Sequence, residues 1–126
     1  MLFRSMHAEG FPAGELKHGP IALIEDRLPV VVVMPSPQGR RVLHGKLLSN
    51  IQEIRARGAR TIVIAEEGDR AVRPFANHLI EVPRTPTLLS PLVATVPLQV
   101  LAAEIAQARG YDVDKPRNLA KSVTVE

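Results

Sequence analysis

Two uninterrupted β-branched runs restrict this chain more than anything else in it. Leu28-Pro-Val-Val-Val-Val-Met-Pro35 carries no polar residue and closes on proline. Such a run reads as a strand buried on both faces, the habit of a parallel sheet. Ser36-Pro37 then offers an N-cap followed by proline at the first helical position. Leu43, Leu47, Ile51 and Ile54 follow at helical spacing, and Gly58 stops the helix. Thr61-Ile-Val-Ile-Ala65 is the second buried strand. Beyond a polar turn around Gly68 and a short helical stretch over 72–76, His78-Leu-Ile-Glu-Val82 is a shorter third strand.

Ser90-Pro91 repeats the cap signal and opens a helix expected to reach Gly110. Its apolar residues, among them Leu92, Val93, Val96, Val100, Leu101 and Ile105, cover more than one stripe. A helix apolar on several sides belongs between layers or subunits, and Pro97 inside it is expected to kink it. Residues 111–126 are polar and carry no helical period. Strands alternating with helices imply an α/β fold, a three-layer αβα sandwich with a parallel sheet and right-handed crossovers. Three short strands make a meagre sheet of this kind, and nothing before Leu28 reads as a fourth. The expectation is one domain truncated on its N-terminal side.

Composition serves mainly to exclude. The net charge of +3 and pI near 9.8 would suit nucleic acid, but the basic residues are dispersed and often sit beside acids, as in Glu53-Ile-Arg55. With no Trp, one Tyr and three Phe, there is no aromatic platform for bases, so no nucleic-acid partner is expected. The absence of cysteine removes disulfides and thiolate metal sites and fits a cytoplasmic protein. The longest apolar run, residues 30–34, is too short for a bilayer, and the first residues do not form a signal peptide. No membrane partner is expected.

No glycine-rich phosphate loop is present. His7-Ala-Glu9 resembles the opening of a zinc deaminase motif without its cysteines, and His7, His18, His44 and His78 lack metal-ligand spacing. Neither metal nor cofactor is expected, and each histidine alone reads first as a surface or satisfied one. Two segments stand out. Gly14-Glu-Leu-Lys-His-Gly-Pro20 sets three ionisable side chains between turn residues, which can place them in a cleft or simply begin a solvated helix. The tail from Asp112 to Glu126 alternates charges with Leu119 and Val123, a pattern able to dock.

Together with His7-Ala-Glu9 and Val96-Pro-Leu-Gln99, these segments resemble the glutamine–fructose-6-phosphate aminotransferase family, in order and spacing, from His7 to Glu126. The resemblance implies the C-terminal portion of a sugar isomerase (SIS) domain over 7–126. Residues 1–6 form a leader unlike the family, and 111–126 a tail covering the substrate. It implies a phosphorylated sugar as substrate, conversion of fructose 6-phosphate to an amino sugar, a homodimer, and a separate glutaminase domain in the full-length enzyme. His18 matches the histidine that opens the sugar ring, a role the family fills across the dimer. Lys121 matches the lysine that forms a Schiff base with the open-chain sugar. Ala120 matches a substrate contact in the same C-terminal loop, and Glu15 matches a motif acid in a position to orient His18.

The departures from the family pattern are specific. Leu2 stands where the family has the glutamate that moves the proton between C1 and C2. A further lysine and the Ser/Thr-rich phosphate loop would fall before the first residue. Two readings therefore compete: a segment of the isomerase domain, inactive by itself, and a non-catalytic sugar-phosphate-binding module. His18 and Lys121 together favour the enzyme.

Overall fold

The computed structural model describes residues 6–114. Within it the chain divides into two compact bodies. The larger is Gly10–Pro97; the other, among the described residues, comprises 6–9 and 98–114.

The larger body holds a three-stranded, wholly parallel sheet in chain order: β1 Pro29–Val33, β2 Arg60–Glu66 and β3 His78–Val82. Val31 lies opposite Ile62, and Ile64 opposite Ile80. Helix α1, Arg41–Arg55, crosses between β1 and β2. Its Leu47 and Ile51 join Met34, Val63, Ala65 and Val72 in one aliphatic cluster, with Val32, Leu79 and Phe75 packed around it. The α/β reading and its parallel sheet hold.

Three local expectations change. β1 is not buried on both faces: Val31 and Val33, which share one face, are exposed, while Val32 on the other face packs against the core cluster. α1 begins at Arg41, not at Ser36-Pro37; residues 37–39 form a turn in which the Ser36 hydroxyl accepts from the Gln38 amide at 3.3 Å. Leu43 points outward, and His44 takes the buried position one turn before Leu47. Positions 43 and 44 both lie within reach of the 47–51–54 stripe, so the apolar pattern alone does not separate them.

Both expected glycine stops are present, and for the same reason. Gly58 (φ 91°) closes α1 with Gly58 N–H donating to Arg55 and Ala59 N–H to Ile54. Helix α2, Ser90–Ala108, ends identically at Gly110 (φ 74°), with Gly110 N–H to Gln107 and Tyr111 N–H to Ala106. Left-handed glycine at this position satisfies the last free carbonyls. Pro97 sits within α2, whose single ionisable residue is Glu104. By length and composition only, α2 is long and apolar enough to cross a membrane, a test that the core helix of a soluble protein also passes.

Candidate functional site

The segment that joins Gly10 to β1 forms two short 3₁₀ turns, Ala13–His18 and Pro20–Leu23. Gly19 between them has φ 145° and ψ −55°, a conformation that L-residues avoid. It ends the first turn, and Pro20 opens the second with its preset φ. In 3₁₀ geometry residues i and i+3 eclipse one another. Glu15 and His18 are therefore stacked, and Glu15 Oε2 lies 3.0 Å from His18 Nδ1. Both side chains are largely exposed, so this contact adds little to stability. Its effect is on the ring: a carboxylate at Nδ1 favours the tautomer with its proton there, leaving Nε2 as the acceptor.

The first turn is fastened to α1 at two points one helical turn apart. Asn50 Nδ2 donates to the Ala13 carbonyl at 3.0 Å, and Lys17 Nζ meets Glu53 Oε1 at 2.7 Å. Asn50 and Glu53 flank Ile51 and Ile54, which are buried. The hydrophobic register of α1 thus decides where the Glu15–His18 pair stands. Of the three ionisable residues in this motif, two face each other and Lys17 serves as the tether.

His7 Nε2 lies 3.0 Å from Glu9 Oε1 in the smaller body, both exposed. Lys121 and Ala120, with Lys115 and Arg117 near them in sequence, fall outside the described residues. Among the described residues, no group of three or more His, Asp or Glu side chains is arranged to hold a metal.

Two features had no signal in the sequence. His44 Nε2 and Asp69 Oδ2 meet at 2.6 Å, both side chains buried; the residues are 25 apart and belong to no shared motif. At the carboxyl ends of β2 and β3, Glu67, Gly68, Arg70, Arg73 and Glu81 line an open groove of about 520 Å³.

The sequence profile of the SIS domain matches residues 1–108. Over 121 residues the chain is 78% identical to the glutamine–fructose-6-phosphate aminotransferase [isomerizing] of Mycolicibacterium paratuberculosis, covering 96% of this chain and 19% of that one. The enzyme of the same name from Streptomyces coelicolor is 79% identical over 121 residues, covering 96% and 20%. This chain therefore spans about a fifth of the length of these curated relatives. Its fold superposes on the C-terminal domain of glucosamine-fructose-6-phosphate aminotransferase from Francisella tularensis with a TM-score of 0.74 and 38% identity, over 90% of this chain and 31% of that chain.

Proposed function

The chain belongs to the SIS domain family, and on that premise we propose that it acts as the carboxyl-terminal part of the isomerase domain of a glutamine–fructose-6-phosphate aminotransferase. The observation that carries this reading is the Glu15–His18 pair at 3.0 Å, pinned to α1 within the Gly14–Pro20 motif. Opening the ring of fructose 6-phosphate requires a proton to leave the anomeric hydroxyl and one to reach the ring oxygen. His18, held at Nδ1 by Glu15, presents Nε2 for that exchange. In the homodimer this reading assigns to the protein, His18 serves the sugar bound by the neighbouring copy.

Lys121 then attacks the freed C2 ketone as a neutral amine and forms an imine with loss of water. Lys115 and Arg117 are the nearby cations in sequence that lower the cost of the neutral amine. Ala120 covers the substrate beside it. Glutamine-derived ammonia comes from a glutaminase domain of the full-length enzyme, and the setting is the cytoplasm. Leu2 favours a second reading in one respect: a hydrocarbon side chain cannot move the C1–C2 proton. Under that reading the segment binds sugar phosphate without isomerising it.

A chimera tests the first reading. Residues 7–126 of this chain replace the matching part of the Streptomyces coelicolor enzyme, and turnover is measured on fructose 6-phosphate and on an analogue locked open. His18→Ala is expected to slow the cyclic substrate by about 10²–10⁴-fold while sparing most of the rate on the open one. Equal loss on both would remove His18 from ring opening.

A further inference from the structure

The 3₁₀ turn Ala13–His18 buries none of its residues and has no side-chain cap. A segment of this kind has little of its own to hold it in one place. His18 adds no anchor: its side chain is 72% exposed, and Glu15, which it meets at 3.0 Å, is largely exposed too. The imidazole therefore stands wherever the backbone over 13–18 is put, and α1 sets that backbone. Asn50 Nδ2 donates to the Ala13 carbonyl where the turn begins, and Glu53 takes Lys17 Nζ immediately before His18. Ala13 itself packs against the core cluster. Asn50 and Glu53 are three residues apart and share a face of α1. Their neighbours Ile51 and Ile54 are among the most deeply buried side chains in the chain, so both tethers start from a firmly packed stretch of helix.

The Lys17–Glu53 contact is partly exposed, and ion pairs of this kind add little to global stability. What it decides is which carboxylate each group meets. Lys17 and Glu15 lie in the same turn, and a Lys17 released from Glu53 is an ammonium donor able to compete with His18 for Glu15. With Lys17 on Glu53, Glu15 stays with Nδ1 of His18. Proton transfer requires the imidazole within hydrogen-bond reach of the reacting oxygen, and a misplacement of about 1 Å costs about 10²-fold.

We propose that Asn50 and Glu53 are positioning residues for ring opening. Through the Ala13 carbonyl and Lys17 they fix where His18 stands and keep Glu15 as its partner, without touching the sugar themselves. These roles rest on the ring-opening role proposed for His18.

The chimera with the Streptomyces coelicolor enzyme carries the test, with circular dichroism to show that each variant is folded. Asn50→Leu and Glu53→Ala should each lower kcat on fructose 6-phosphate about ten- to a hundredfold, the scale set by such a displacement. KM and the rate on the locked-open analogue should change little. Lys17→Glu/Glu53→Lys restores the bridge with its charges reversed and should recover much of the rate lost in Glu53→Ala. In a His18→Ala background Glu53→Ala should add no further loss on the cyclic sugar, since it acts through that ring. Rates unmoved by Asn50→Leu and Glu53→Ala, equal losses on both substrates, a charge swap no better than Glu53→Ala, or losses that add to His18→Ala would overturn the positioning roles. If His18→Ala alone slows both substrates equally, the ring-opening role fails and these roles fail with it. If His18→Ala spares the open analogue while the α1 variants change nothing, only the positioning roles fail.

Discussion

His44 and Asp69 bring the hydrophobic core and the polar rim into one contact. His44 stands where the helical stripe calls for an apolar side chain, and its imidazole is satisfied only because Asp69 arrives from beyond β2. Removing one partner of a buried pair strands the other, at a cost of about 3–5 kcal/mol. Urea denaturation of Asp69→Ala should show a loss of that order. In His44→Leu/Asp69→Asn the amide oxygen can still accept from Ala71, so the double variant should recover much of the deficit; additive losses would show that the pair is not coupled. This residue also marks the limit of reading from sequence. Leu43 and His44 are adjacent, and hydropathy prefers Leu43 for the interior; only a partner 25 residues away reverses the choice. The Glu15–His18 pair, by contrast, was expected only through the family resemblance; its three-residue spacing is what the local 3₁₀ turn brings together. Lys121 and Ala120 were legible as a motif and fall outside the described residues.

At the scale of elements, strands and helix ends were readable wherever local chemistry decides them. Gly58 illustrates this, since its positive φ serves the helix stop. It has a second duty that sequence does not show: a Cβ there would lie 2.6 Å from Asp26 Oδ1 and 2.9 Å from Asp26 Cα. Gly58→Ala should therefore destabilise the chain by about 1–3 kcal/mol, read as a fall in urea midpoint at constant slope. β1 and the start of α1 were misread because tertiary setting overrides local signal. A run of four valines looks interior, yet among the described residues only the Val32 face of β1 packs against the core, and Val31 and Val33 are exposed. Ser36-Pro37 looks like a cap, yet the chain spends it on a turn. The 3₁₀ segment depends on α1 through Asn50 and Glu53, so Asn50→Ala/Glu53→Ala should raise amide hydrogen exchange over residues 13–18. The core strand β2 should stay protected. Uniform acceleration everywhere would mean that the tethers act on global stability instead.

For the molecule as a whole, the parallel sheet and the histidine–glutamate pair fastened to its helix are described, and the proposed C-terminal lysine lies outside the described residues. Residues 7–126 are proposed to do the work of the matching segment in an isomerising aminotransferase, with Lys121 as the imine-forming amine. The chimera with the Streptomyces coelicolor enzyme, 79% identical over 121 residues, allows that claim to be measured directly. Fructose 6-phosphate is added with borohydride, and covalent trapping is located by peptide mass. A reduced sugar adduct is expected on the peptide containing Lys121 and should be absent in Lys121→Arg, which keeps the charge but offers no amine for an imine. Trapping that persists in Lys121→Arg, or an adduct on another lysine, would contradict that claim.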